Sequence, residues 1–235
     1  MANQRLTYLY EKIQDKRKSG DTYRGTPVYN VSMSDLKKLQ NVSDKYGFPV
    51  EWLANLINHE TAGTYNPAIT NSIGATGLIQ FLPSTASTYG TTTEKLRKMS
   101  FSQQLDYVEK YLDKGLKSKD LLDENGKVKP TFNQGDLFML IFYPVSVGNP
   151  NYVFPSNVQA ANSVSTPKEY TQKALRNAPF SLDLAPFSLQ EYIQKYGQAA
   201  TSLIKSNKKW WLLPLSILIF GSALITIIWY VKKKK

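Results

Sequence analysis

Apolar residues in this chain recur at three- and four-residue spacing in one segment after another, a period that confines it to helices packed on a shared core. Leu36, Leu39 and Val42 form one such stripe behind Ser34, a residue suited to cap a helix that Gly47 ends. Pro49 fits the first turn of the next helix, which runs to about Glu60 and sets Leu53, Leu56, Ile57 and Glu60 along one face. Leu105, Val108 and Leu112 mark a third helix over 101–116, and 135–143 is a fourth candidate, stopped by Pro144. Leu6, Leu9, Tyr10 and Ile13 give residues 4–18 an apolar edge, and 186–204 reads as a final helical region. No series of alternating strands is visible, which weighs against a barrel or sandwich. The expected fold class is mainly α.

Among the acidic residues, Glu60 matters most. A carboxyl on the apolar face of a helix loses hydration as an anion, so the pKa of Glu60 should rise. A carboxylic acid still protonated near neutral pH can give its proton to a poor leaving group such as a glycosidic oxygen. Beyond it, Gly63, Asn66, Pro67 and Asn71 specify a loop, and Gly74 and Gly77 frame a turn into Leu78, Ile79, Gln80 and Phe81. Gly77 would let a polymer approach the backbone, and Gln80 offers both a donor and an acceptor. His59 would point about 100° away from Glu60 around the helix, which makes it a structural residue on this reading. Asp106 and Asp136 are the candidates for a second carboxylate, although neither sits in a distinctive local pattern.

Composition removes several kinds of chemistry. The chain has no cysteine and one histidine, so disulfides, thiolate catalysis and a His-rich metal site are excluded, and no cofactor or metal is expected. His59-Glu60 lacks the second histidine of a zinc peptidase. Residues 123–127 superficially suggest a cation loop but lack its carboxylate spacing, so they read as a polar turn. Residues 1–209 carry 25 Lys/Arg against 18 Asp/Glu, which favours anionic surroundings without choosing among them. Specific nucleic-acid binding has no motif to support it.

Residues 210–231 form a 22-residue stretch without formal charge, flanked by Lys208, Lys209 and residues 232–235, all lysine. As a helix it would extend roughly 33 Å, close to the hydrocarbon thickness of a bilayer. Trp210, Trp211, Trp229 and Tyr230 stand at its two ends, where aromatic rings favour the headgroup level. A single transmembrane helix is therefore expected there. The first residues lack the apolar segment of a secretory signal, so export by that route is not expected.

Residues 50–90, above all NHETAGTYNP at 58–67 and SIGATGLIQFLPSTASTYG at 72–90, resemble the soluble-lytic-transglycosylase-like branch of the lysozyme superfamily. That branch includes phage and virion-associated peptidoglycan-degrading proteins. The resemblance implies a goose-type, lysozyme-like domain in which Glu60 is the sole catalytic acid and base, with Gly77, Leu78 and Gln80 lining the glycan cleft. It implies cleavage of the β-1,4 bond between N-acetylmuramic acid and N-acetylglucosamine, leaving a 1,6-anhydromuramyl end. Thr61 stands where many members carry serine. The Ala-Tyr-Asn element whose tyrosine orients the acid in many members does not occur, and Tyr143 is its nearest substitute, with Asn133 a weaker one.

Together these readings give an N-terminal extension over 1–33, a catalytic domain over 34–155, an accessory region or stalk over 156–209, a membrane helix over 210–231 and a basic tail over 232–235. The expected function is a peptidoglycan lytic transglycosylase that opens the wall locally as a virus penetrates the cell. A hydrolytic muramidase of the same fold and a catalytically silent wall-binding virion membrane protein are the alternatives. Expected partners are peptidoglycan glycan strands, a lipid bilayer through 210–231, and other virion membrane proteins. The expected location is the internal virion membrane, single-pass, with the host cell membrane during assembly.

Overall fold

The computed structural model describes residues 2–180. Helix α1 (Ala2–Lys18) buries Leu6, Leu9 and Ile13, as their spacing requires, and places Lys16, Arg17 and Lys18 in its last turn, where positive charge complements the helix dipole. The connection after α1 contains a short hairpin of two-residue strands, β1 (Thr22–Tyr23) against β2 (Thr26–Pro27). Its central residues, Arg24 and Gly25, both have positive φ, the conformation that matches the twist of paired strands.

Helix α2 (Met33–Tyr46) starts two residues earlier than its sequence suggests. Ser32, not Ser34, is the cap: its hydroxyl accepts from the Asp35 N–H at 3.1 Å, and the Asp35 carboxylate accepts from the Ser32 N–H at 2.9 Å. The acid three residues after Ser32 decides between the two serines, because it completes a reciprocal pair of bonds. Gly47 closes the helix in the left-handed conformation.

Helix α3 (Val50–Glu60) is central. It was expected to bury one stripe, yet Leu53, Ala54, Asn55, Leu56, Ile57 and Asn58 are all buried, because α2, α7 and α9 all pack on it. Its two asparagines bond to the chain beyond α9, although Asn58 Oδ1 is buried without a partner. Asn55 gives Nδ2–H to the Phe180 carbonyl at 2.6 Å and accepts from the Phe180 N–H at 3.1 Å, while Asn58 donates to the Asn177 carbonyl at 3.3 Å. One apolar cluster accordingly takes in Leu6 from α1, the helices between, and Phe180.

After a looped segment come α4 (Pro83–Thr88), α5 (Thr93–Arg97) and α6 (Phe101–Ser118), the last with Ser100 and Gln103 as a capping pair and Leu105, Val108, Leu112 and Leu116 buried. Helix α7 (Gln134–Phe142) is capped by Asn133 and ends before a 3-10 turn, Pro144–Ser146. Helices α8 (Ser156–Asn162) and α9 (Pro167–Leu175) follow, and α9 packs on α7 and α3. The polar turn at 123–127 is held by Asp123, whose carboxylate accepts from the Asn125 and Lys127 N–H groups.

The expected fold class needs correction. The described chain is a mainly α-helical domain, and among the described residues no helix is long and apolar enough to cross a membrane. Apolarity and length are not combined in any of them. Helix α7, rich in Leu, Phe, Met and Ile, has nine residues and spans about 14 Å, under half of a bilayer core. Helix α6 has 18 residues but carries Asp106, Glu109, Lys110, Asp113, Lys114 and Lys117. The span expected at 210–231 lies outside the described residues, as does the helical region at 186–204. The single-pass anchor, the bilayer as partner, and the internal virion membrane or host membrane as location are not carried further.

Candidate functional site

Glu60 is the last residue of α3, and the chain turns sharply behind it. Thr61 gives its hydroxyl hydrogen to the Ile57 carbonyl at 2.6 Å and accepts from the Tyr65 N–H at 3.0 Å. Ala62, Gly63 and Tyr65 all take positive φ, and Tyr65 Oη donates to the Ala54 carbonyl at 3.2 Å. Thr61 is buried, so its part is to fix the chain as it leaves the acid.

No hydrogen bond or ion pair to another described residue holds the Glu60 carboxyl. Desolvation pushes its pKa from 4.5 up to about 8. Its place at a helix C-terminus also disfavours the anion, because the carbonyl end of the dipole carries partial negative charge. The side chain nonetheless keeps some exposure to solvent. A neutral acid with an open face can deliver a proton at neutral pH.

Two tyrosines absent from the sequence-based candidates lie within the field of Glu60. Burial, then Tyr89 and Glu60, push the Tyr111 phenol up to about 12. Burial and the charge of Glu60 raise that of Tyr170 as well. Tyr111 comes from α6, where it lies three residues beyond Val108 at the edge of the buried stripe, and its hydroxyl donates to the Leu140 carbonyl at 3.1 Å. Helical spacing could have found it. Tyr170 comes from α9, in a segment whose sequence read as accessory.

Around these tyrosines the aromatic rings form two groups. Phe81, which directly follows Gln80, meets Tyr111 edge-on at 6.0 Å and Tyr89 at 6.3 Å. Tyr111 thus links the Gly/Gln block to the neighbourhood of the acid. On α7 and beyond, Phe142 stacks on Tyr170 at 4.0 Å and packs edge-on against Phe154 at 5.7 Å. Tyr143 belongs to this second group, with its ring against Phe142, Tyr152 and Phe154. Tyr143 therefore belongs to the second ring group, and the phenols that feel the charge of Glu60 are Tyr111 and Tyr170.

Within the Gly/Gln block, Leu78 is buried in the core and contributes its backbone: the N–H donates to Gln104 Oε1 at 2.9 Å. Gly77 has φ of 90°, and the room its missing side chain leaves is filled by the Gln104 amide, so its immediate need for glycine is internal. Gln104 is a third residue that sequence patterns passed over, because a polar side chain on α6 carried no signal of burial. Gln80 adopts positive φ and gives Nε2–H to the Gly77 carbonyl at 3.0 Å, while its amide oxygen has no partner among the described residues and is free to accept.

Both proposed second carboxylates are occupied. Asp106 pairs with Lys38 at 2.6 Å on the surface. Asp136 is buried and accepts from the Asn133 N–H at 3.0 Å and the Gly148 N–H at 2.7 Å, so it ties the start of α7 to the loop after the 3-10 turn. Asn133 is the reciprocal cap of α7. Asp136→Ala is expected to lower stability by about 2 kcal/mol, since it strands two N–H groups, whereas Asp106→Asn should leave both stability and turnover near their original values. Urea unfolding of both variants beside a turnover assay checks this; a large loss of turnover in a stable Asp106→Asn protein would restore that residue to the chemistry. Among the described residues no group of three or more His, Asp or Glu side chains could hold a metal ion.

His59 is half-buried, with Nε2 3.0 Å from Tyr170 Oη and its ring edge-on to Phe138 at 5.9 Å. Burial lowers its pKa, and the positive charge of Lys173 adds to this, so both favour the neutral imidazole. Comparison with known proteins adds no further constraint: no family model, curated protein or solved structure matches the chain.

Proposed function

We propose that this protein cleaves peptidoglycan glycan strands as a lytic transglycosylase, with Glu60 as its single acid and base. The observation that supports this reading most directly is the isolated, desolvated Glu60 carboxyl at the end of α3, with both other candidate acids occupied elsewhere. A two-carboxylate glycosidase needs an ionised partner across the scissile bond. A lone acid suits a reaction in which the substrate supplies its own nucleophile.

Protonated Glu60 gives its proton to the glycosidic oxygen, and the bond from that oxygen to the muramyl anomeric carbon breaks. The C6 hydroxyl of the same muramyl ring forms a new bond to the anomeric carbon. Its proton passes to the Glu60 carboxylate, which restores the acid and leaves a 1,6-anhydro ring. Because nucleophile and electrophile belong to one sugar, proximity replaces activation of free water. The free Gln80 amide oxygen can accept from a sugar hydroxyl or acetamido N–H, and the aromatic rings near the acid suit the apolar faces of sugars. The resemblance over residues 50–90 supports the same substrate, and it motivates a role in local wall penetration by a virus.

Digesting purified peptidoglycan and weighing the fragments tests the chemistry. Fragments lighter by one water, with anhydromuramyl ends, are expected. Fragments with reducing ends would show that water is the nucleophile, and binding without any fragments would indicate a silent wall-binding protein.

A further inference from the structure

We propose that a second binding site lies between the first turns of α7 and α9, for a short peptide of small apolar residues that ends in a free carboxylate. A cavity of about 440 Å³ lies there, the size of a small-molecule site. Trp52 from α3, Met139 from α7, Pro150 from the loop after the 3-10 turn, and Pro167 and Leu175 from α9 form its apolar lining. Trp52 stands eight residues before Glu60, roughly 12 Å along the helix, and Glu60, Gln80 and Tyr111 do not line the cavity. It is therefore separate from the site of the proposed chemistry.

The lining is braced from several elements. Phe48 stacks on Trp52 at 6.2 Å and 6°, and Phe132 tilts against it at 6.3 Å. Asp136, also in the lining, holds the loop through the Gly148 N–H at 2.7 Å. The Lys168 N–H donates to the Pro150 carbonyl at 3.1 Å and ties α9 to the same loop. Such bracing spares a ligand the cost of ordering the site.

Polar groups select the occupant. Gln134 Nε2 and Thr171 Oγ1, both on lining residues, are shielded from solvent and have no hydrogen-bond partner among the described residues. Buried polar atoms are paired in most cases, so two orphans beside one cavity call for a reason. Gly135 places no side chain next to them: a Cβ there would stand 3.4 Å from Thr171 Oγ1. A rotamer change at Gln134 or Thr171 turns a donor toward a ligand in the cavity. Lys168, exposed in the first turn of α9, adds a third donor, and its ammonium has no ion pair with a described residue. The acceptors are committed: both Asp136 oxygens and Asn133 Oδ1 take backbone N–H groups. A sugar ring brings several hydroxyl hydrogens and fits a donor-rich site poorly. A peptide supplies carbonyls for Gln134 and Thr171, methyl-sized side chains for the apolar lining, and a terminal carboxylate for Lys168. The negative charge of Asp136 inside the cavity keeps that carboxylate at the rim, on Lys168. Two sources share this chemistry, the stem peptides of peptidoglycan and the end of a protein chain; the first rests on the function proposed above.

Calorimetric titration of the full chain with N-acetyl-Ala-Ala, as D,D and L,L forms, tests the proposal without any turnover. The free acid should bind about 10-fold more tightly than its carboxamide. Thr171→Val and Gln134→Leu keep the volume and remove the donors. Each should weaken binding about 5- to 10-fold while the melting temperature stays level or rises, because no existing hydrogen bond is lost. Lys168→Met should abolish the difference between acid and carboxamide. Tighter binding of the D,D form assigns the cavity to stem peptides, many of which end in D-alanine, and tighter binding of the L,L form assigns it to a protein chain end. Glu60→Gln should bind both forms as the unsubstituted protein does, so a failure of the acid assignment leaves this result readable. No binding of either form at millimolar concentration, equally tight binding of N-acetylglucosamine, or unchanged affinity in both Thr171→Val and Gln134→Leu overturns the proposal.

Discussion

Glu60→Gln is expected to lower the release of soluble glycan fragments by about 10²- to 10⁴-fold, the range over which a positioned general acid contributes. The amide keeps the shape of the side chain, so the loss should come without unfolding. Stability should in fact rise. The folded chain holds a proton on Glu60 up to about pH 8, whereas the unfolded chain loses it near 4.5. Between those values the folded state binds more protons, so stability decreases as pH increases, from its full value below 4.5 to its lowest above 8. Glutamine removes this penalty. The variant should therefore match the unsubstituted protein in unfolding free energy near pH 4 and exceed it above pH 8, by an amount on the order of a few kcal/mol that partial solvent exposure will reduce. The activity of the unsubstituted protein should fall over the same alkaline range, because a deprotonated Glu60 has nothing to donate. Unfolding of both proteins at several pH values, together with a pH–rate profile, tests the two halves separately. A rate that stays constant through pH 9 would remove Glu60 as the acid even if the stability difference appeared.

That the desolvated carboxyl of Glu60 could be expected from sequence reflects how little its position depends on distant parts of the chain. An apolar stripe ending in glutamate, then a glycine-rich loop, fixes both its burial and its place at a helix end. The helices were legible for the same reason: Leu36, Leu39 and Val42, or Leu105, Val108 and Leu112, repeat a local period that the fold obeys. What surrounds the acid was less legible because it is brought from far away. Tyr170 is brought against His59 from 111 residues downstream, through packing of α9 on α7 and α3 that no local period announces. The same packing explains Asn55 and Asn58, which look like a solvent-facing edge of α3 until the chain near Phe180 covers them. Asp136 shows the reverse error. A carboxylate on an apolar helix resembles a catalytic candidate, but its two oxygens are consumed by the N–H groups of Asn133 and Gly148. The apolar run at 210–231 was the plainest signal in the chain, yet length and hydropathy describe only what such a segment can do; the described helices include no membrane span.

Gln104→Leu is expected to cost about 3–5 kcal/mol, the largest loss from any single substitution outside the apolar core. Gln104 is fully buried, and its amide joins three separate stretches of chain: Nε2 donates to the Pro67 and Leu96 carbonyls, each at 2.6 Å, and Oε1 accepts from the Leu78 N–H. Leucine fills a similar volume but leaves two carbonyls and one N–H without partners in a place water does not reach, at about 1–3 kcal/mol for each group stranded. Gly77→Ala should be damaging for a related reason. Its Cβ would stand 2.9 Å from Gln104 Cδ, and its φ of 90° is a conformation that alanine resists. The two effects share one cause, so they should not add. In Gly77→Ala combined with Gln104→Ala the collision is gone, and the double variant should be more stable than the sum of the single losses predicts, by about 1 kcal/mol or more. Urea unfolding of the four proteins measures this coupling, and strict additivity would show that Gly77 is glycine for some reason other than Gln104. The consequence for function is specific. Gln104 holds the loop that carries Gln80 and Phe81 at Pro67 on one side and Leu78 on the other, while Glu60 is fixed independently by α3 and Thr61. On the proposed reading, loss of Gln104 should therefore raise KM for glycan strands and leave the alkaline limit of activity unchanged, because it loosens the loop that carries Gln80 and leaves Glu60 in its desolvated place.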